Sequence, residues 1–315
     1  MKTLLTEDPA AAAALVQGGA LVAFPTETVY GLGADAFNAD SVAAIFHVKE
    51  RPADNPLIVH IACHDQLADI AASIPRSGQT LIDRFFPGPL TVIVRRHTSL
   101  PPAVTAGLDS VAVRMPSHPI ARRFLNACQC PVAAPSANHS GRPSATTWEA
   151  VRDDLGGRID AILRGPPSEQ GIESTVVDCS QEIPVLLRPG ATSAEELVAV
   201  LPSLRVPRLA ESLPARSPGL RHRHYAPRAS VVLIKDPKEA QPHAAHAFIG
   251  TGAVQDPSGF GRCHIASDVK EYARVLFDFF RQCEAADIRT VYCQEVIGSG
   301  VGRAVMDRLR RAAAK

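Results

Sequence analysis

Between Leu201 and about Ser230 five prolines, Pro202, Pro207, Pro214, Pro218 and Pro227, interrupt every helical or strand period. Proline fixes its own φ, lacks a backbone donor and pushes its predecessor out of the helical region, so the stretch is a stiff connector. It separates two folding units, residues 1–201 and residues 230–315, joined by residues 202–229. A chain of 315 residues suits that division, since single domains commonly hold about 100–200.

In the first unit short β-branched strands alternate with helices. Pro9 and Gly18-Gly19 frame a helix ending near Gln17, and Ala20–Phe24 then reads as a buried strand. Asp40 is placed to cap a helix through Val48, ahead of a short strand at Leu57–Ile61. Further strands are predicted at Leu90–Arg95, Val111–Met115, Val132–Ala134, Ser174–Asp178 and Pro184–Leu187, and helices at Pro119–Cys128, Thr147–Leu155 and Ser193–Val200. Such a mixture indicates an α/β domain whose sheet need not be purely parallel. Past the connector, Val231–Ile234, Ala247–Ile249 and Thr290–Cys293 alternate with helices at Val269–Ala285 and Val301–Ala313, a small α/β domain.

A formal net charge of +1 argues against wholesale wrapping of nucleic acid but leaves room for a local basic patch. No apolar run approaches the roughly 20 residues a membrane span needs, and the start turns acidic before a signal core forms. A cytoplasmic protein without membrane attachment is expected. Seven scattered cysteines fit reduced thiols, and Cys128-Gln-Cys130 has no second pair at zinc-binding spacing.

No Gly-x-x-x-x-Gly-Lys-Ser/Thr run is present, so phosphate must be held without a Walker loop. Gly298-Ser-Gly-Val-Gly302 lacks dinucleotide-binding spacing and reads as a flexible turn. In the final helix Val301, Val305, Leu309 and Ala312 form a core stripe, and its arginines read as a solvated face. The run Phe24-Pro-Thr-Glu-Thr-Val-Tyr-Gly-Leu-Gly33 places two hydroxyls, a carboxylate and a phenol just after a buried strand. That is compatible with a binding site at a strand end and equally with a capped turn.

Four other segments add polar groups. Lys49-Glu-Arg51-Pro-Ala-Asp-Asn55-Pro-Leu57 is extended, with Lys49 and Arg51 on one side, as a polyphosphate cradle or a surface charge cluster. His60 follows on an apolar strand, where a lone histidine is commonly a core residue. Ser110-Val-Ala-Val-Arg114 ends a strand on an arginine that is costly to bury without an anionic partner. Ala134-Pro-Ser136-Ala-Asn138 and Ser144 follow another strand, and Glu173-Ser174-Thr175 and Leu187-Arg188-Pro-Gly190 bound two more.

FPTETVYGLG, KxRPxxNPL, PSANxSG, ESTVVD and LRPG, in this order, resemble the YrdC-like family in the long two-domain form of threonylcarbamoyl-AMP synthases. Ser217–Pro227 is similar to that form's connector, and GVGRAVMDRLRRAA to the end of its second domain. The resemblance implies a twisted mixed YrdC-like sheet with helices, plus a smaller Rossmann-like α/β domain. It implies synthesis of L-threonylcarbamoyl-adenylate from L-threonine, bicarbonate and ATP, with Mg2+ on the phosphates, for tRNA modification. Transferred position by position, Lys49 and Arg51 are the catalytic cations on the ATP phosphates. Asn55, Ser110, Ser136, Asn138, Ser144 and Arg188 complete the nucleotide site, and Tyr225 reaches ATP from a connector folded over the pocket. Thr28, His60, Arg114 and Ser174 hold threonine, Arg114 through its carboxylate; Ala134 contributes its backbone and Tyr30 a wall. No protein metal site is expected, since His222 and His224 alone are too few. tRNA and other tRNA-modification proteins are implied partners. The alternatives are an RNA-binding YrdC-like module without catalysis and another carbamoyl-adenylate enzyme; near-neutral charge weighs against the first, and missing additional domains against the second.

Overall fold

Two sheets organise the chain, for which the computed structural model describes residues 2–208 and 225–314. The larger has eleven strands. Its path runs from Leu4–Thr6 through Ala161–Leu163, Val22–Phe24, Gly31–Asp35, Val132–Ala133 and Ile58–His60 to the centre. It continues through Ser110–Arg114, Leu90–Arg96 and Thr175–Asp178 to Val185–Arg188, with Ala71–Ser73 added beside Leu90–Arg96. Parallel and antiparallel neighbours mix: Ile58–His60 is parallel to Ser110–Arg114 but antiparallel to Val132–Ala133.

Both faces of this sheet are covered, which is why its strands are almost wholly apolar. Along Val22–Phe24 successive side chains go to opposite faces. Val22 and Phe24 pack with Val16 of the helix Pro9–Gln17 and Phe124 of Pro119–Cys128. Ala23 joins Ile45 of Ala39–Lys49 and Ile82 of Arg76–Phe85 on the other side.

Two sequence expectations need correction here. Asn38, not Asp40, caps the helix Ala39–Lys49: its side chain accepts from the Ser41 N–H at 3.1 Å, and Asp40 lies in the first turn. Gly31–Asp35, expected as part of a polar turn, is a strand antiparallel to Val22–Phe24. A Cβ on Gly33 would stand 2.8 Å from the Val132 side chain and 3.0 Å from the Phe24 ring, so glycine here makes room for a close approach.

The smaller sheet is parallel, ordered Ser230–Ile234, Thr290–Gln294, His246–Gly250 and Arg262–Ile265. Helices Val269–Ala285 and Gly302–Ala313 supply Leu276, Phe280, Val305 and Leu309 to its core. That core also takes in Val29, Ile172 and Tyr225, so the two units share apolar contacts. The final helix corrects a third expectation. Arg308 is fully buried, because it points into the other unit rather than into solvent. The expected connector signature, including Arg216, His222 and His224, lies outside the described residues up to His224; Tyr225 onward lies within them.

Candidate active site

The loop between Val22–Phe24 and Gly31–Asp35 is built by its own hydroxyls. Thr26 Oγ1 donates to the Val29 carbonyl at 2.6 Å and accepts the backbone N–H groups of Thr28 and Val29. Thr28 Oγ1 lies 2.9 Å from Thr26 Oγ1 and accepts from Arg114 Nη1 at 2.8 Å. The capped turn and the site are therefore one structure: Thr26 shapes it and Thr28 faces inward.

His60 and Arg114 are register partners at the ends of adjacent parallel strands. The counter-charge that a buried Arg114 demands is Glu27, whose Oε1 lies 2.8 Å from Arg114 Nη2, both side chains only 4% exposed. Burial pushes the Glu27 carboxyl up, and the Arg114 guanidinium more than offsets it, leaving the pKa below its ordinary value. Among the described residues neither Glu27 oxygen has a well-directed hydrogen bond, so the contact with Arg114 is chiefly coulombic. Burial, reinforced by Arg114, pushes the His60 imidazole down to about 3, so it stands neutral with its ring edge-on to Phe24 at 5.9 Å. Tyr30 closes this side, its hydroxyl donating to the Gly165 carbonyl at 2.9 Å.

Opposite lie the cationic groups. Arg51 is held by the Asn55 and Pro56 carbonyls at 3.1 and 2.9 Å. Burial pulls its guanidinium down to about 10. Arg188 donates Nε and Nη2 to the Ser174 carbonyl at 3.1 and 2.9 Å, and Nη2 also reaches Ser174 Oγ. Ser174 Oγ in turn meets Thr91 Oγ1 at 2.7 Å.

These groups line one cavity of about 60 Å3: Thr28, Tyr30, Arg51, His60, Arg114, Ala134, Ser136, Ser174, Arg188 and Tyr225, all expected from sequence. Thr26, Val29, Gly31, Ile58, Pro135 and Glu173 line it as well and were missed. Glu27 had a usable signal, since it is the only acid in the motif that also sends Thr28 to the site. Five expected residues stand back from the wall. Lys49 Nζ, fully buried at the end of its helix, donates to the Ser136 carbonyl at 2.6 Å and to the Asn138 carbonyl. Its ammonium is a strut under the 136–138 loop, and burial lowers its pKa well below the usual value. Asn138 Nδ2 ties that loop to the His139 and Arg142 carbonyls. Asn55 is buried and supports Arg51 through its carbonyl. Ser144 donates to Glu173 at 2.5 Å. Ser110 opens the strand that Arg114 ends, four residues away at about 3.3 Å each.

A larger cleft of about 960 Å3 lies between the units, lined by Arg84, Glu169, Thr192, Lys270 and Glu271 among others. Its charges are of both signs, with Arg84, Lys270 and Arg274 set among Glu169, Asp268 and Glu271. The small cavity, with its convergent buried cations, is the better site despite its volume.

Fold and cavity together define an α/β protein with one cleft of buried cationic side chains at its strand ends. A family model described as telomere recombination, covering Sua5, YciO and YrdC, matches residues 14–190. A second, described as threonylcarbamoyl-AMP synthase, C-terminal domain, matches residues 192–314. The chain belongs to the Sua5–YciO–YrdC family, in the form that carries this C-terminal domain. It is 41% identical to the threonylcarbamoyl-AMP synthase of Pyrococcus abyssi over 96% of this chain and 92% of that one. It is also 41% identical to the Bacillus subtilis enzyme of that name, over 98% and 94%. The crystal structure of P. abyssi Sua5 complexed with L-threonine matches with a TM-score of 0.91 and 38% identity, covering 99% of this chain and 98% of that one.

Proposed function

We propose that this chain condenses L-threonine, bicarbonate and ATP into L-threonylcarbamoyl-adenylate and pyrophosphate, supplying the threonylcarbamoyl group for tRNA modification. One observation carries the reading. A single cavity sets Thr28, Arg114 and Ser174 against Arg51 and Arg188, in a chain that follows a threonine-bound relative from end to end.

The chemistry needs such a cavity. The threonine amine takes the carbon of bicarbonate, a C–N bond forms, and water leaves, giving a carbamate. A carbamate oxygen then attacks the α-phosphorus of ATP; the new P–O bond forms as the bond to pyrophosphate breaks. Both partners in the second step are anions, so fixed cations must bring them together. Alignment supplies about 7–11 kcal/mol in favourable cases, and charges already in place need no reorganisation. Arg51 and Arg188 serve the phosphates, while Arg114 serves the threonine carboxylate, exchanging part of its hold on Glu27. Neutral His60 adds a polar wall without a competing charge. Lys49 acts on the nucleotide through the loop it supports.

Mg2+ enters with the nucleotide. Among the described residues no three His, Cys, Asp or Glu gather to hold a metal, and the cavity's Glu173 is already engaged by Ser144 and Arg308. This reading assigns the reaction to the cytoplasm because ATP, threonine and tRNA meet there.

The test is pyrophosphate release from ATP by the purified chain. Leaving out L-threonine or bicarbonate should each abolish it. Turnover that ignores threonine, or RNA binding without turnover, overturns the proposal.

A further inference from the structure

One side chain of the smaller unit reaches the wall of the cavity. Arg308 leaves the helix Gly302–Ala313 and is fully buried. Its Nε donates to Glu173 Oε2 at 2.7 Å, and its Nη2 to the Pro189 carbonyl at 3.1 Å. Nη1 returns to Asp307 of the same helix at 2.6 Å, and Arg311 holds Asp307 in place at 3.0 Å. The guanidinium carbon also lies 5.0 Å from the centre of the Tyr225 ring, which stacks at 5.3 Å on Phe277 of the helix Val269–Ala285.

Three of these partners, Glu173, Tyr225 and Pro189, adjoin the site. Glu173 and Tyr225 line the cavity themselves. Glu173 also precedes Ser174, and Pro189 follows Arg188, the two residues joined by the Ser174 carbonyl. Arg308 thus holds both ends of the Ser174–Arg188 contact from outside, together with the face of the tyrosine. A buried guanidinium is costly unless its donors and charge are matched, and Glu173, Asp307 and Pro189 match them here. The arrangement depends on a planar fork with donors in several directions, which arginine has and lysine lacks.

We propose that Arg308 is a positioning residue for the nucleotide half of the active site, by which docking of the smaller unit sets the placement of Glu173, Arg188 and Tyr225. The inference rests on the ATP-binding reading above and gives the smaller unit a defined part in it. Among the residues assigned to threonine, Thr28, His60 and Arg114 receive nothing directly from Arg308, and Ser174 meets it only through its chain neighbour Glu173.

Two variants of the full chain test this, R308K and E173Q, each checked for folding by thermal unfolding. Each should raise the KM for ATP about tenfold, the equivalent of roughly 1.4 kcal/mol, while the Kd for L-threonine changes by less than about twofold. The double variant should lose little more than either single one, because both act through one contact. If R308K regains wild-type stability with a wild-type KM for ATP, the arginine is only structural and the proposal fails. It fails equally if both substrates weaken in parallel, or if the two losses multiply. When R308K does not fold, the ATP-against-threonine split in E173Q decides alone. A wild-type chain that binds no ATP in calorimetry would instead sink the ATP reading itself.

Discussion

His60 sits beside Arg114 and Glu27 in a fully buried environment, and that setting makes it a pH-sensitive stability element. Above its ordinary value of 6.5 it is neutral in both the folded and the unfolded chain and leaves stability unchanged. As pH falls from there toward about 3, the unfolded chain takes up a proton that the folded chain refuses. Stability then drops by up to about 1.4 kcal/mol per pH unit. Between about pH 6.5 and pH 5 the wild type should lose about 1–2 kcal/mol more than His60→Gln, read from urea unfolding at each pH. Parallel acid limbs for the two proteins would show that His60 is not the group responsible. The same burial fits the proposed function: a neutral imidazole beside Arg114 adds no charge that would repel that cation.

At the level of elements, the segment Ser168–Glu173 connects the loop Thr26–Val29 to the smaller unit. Ser168 Oγ donates to the Thr26 carbonyl at 3.0 Å, and the Gln170 N–H to the Glu27 carbonyl at 2.8 Å. Gly171 follows with a φ of +68°, and a Cβ there would fall on the backbone of Arg274 in the helix Val269–Ala285. Gly171→Ala therefore combines a left-handed residue, about 1–2 kcal/mol, with displacement of that helix. It should lower stability by more than about 2 kcal/mol and split a single calorimetric transition into two, one for each unit. One transition with an unchanged midpoint would rule that out. Gly171 also marks the limit of what sequence discloses. Helices Pro119–Cys128 and Val269–Ala285 read correctly to the residue, because local signals bound them: proline at the first position of one, the capping Asp268 of the other. Gly31–Asp35 did not read as a strand, since two of its five residues are glycines chosen for the Phe24 ring across the sheet. At the site, motif residues such as Thr28, Arg51 and Arg188 were legible. Glu173 was not, because its role depends on Arg308, 135 residues further along the chain.

Across the whole molecule, a second set of buried charges ties the units together on the side of Ser136–Ser144. Asp154, its carboxylate fully buried, pairs with Arg142 of the first unit and with Arg281 of the helix Val269–Ala285 at 2.8 Å. Arg142 extends to Glu284 of that helix at 2.5 Å, and Glu284 accepts the Arg228 backbone N–H at 2.9 Å, three residues beyond Tyr225. Burial pushes the Asp154 carboxyl up, but Arg281 and Arg142 pull it below its ordinary value, so Asp154 is ionised at neutral pH. One lattice of charge therefore fixes the loop that Lys49 supports, the docking helix and the chain leaving Tyr225. Arg281→Met removes one cation from a buried acid, and breaking such a pair costs about 3–5 kcal/mol. Arg142, with about a third of its side chain exposed, offsets part of that loss, so about 2–3 kcal/mol is expected in denaturant unfolding. Because the groups are buried, raising salt from about 0.1 M to about 1 M should change the difference little, unlike that of a surface pair. A loss within about 0.5 kcal/mol of zero, or one erased by salt, would mean that the network is a surface ornament and that the apolar contacts of Val29, Ile172 and Tyr225 and the Arg308–Glu173 pair hold the units.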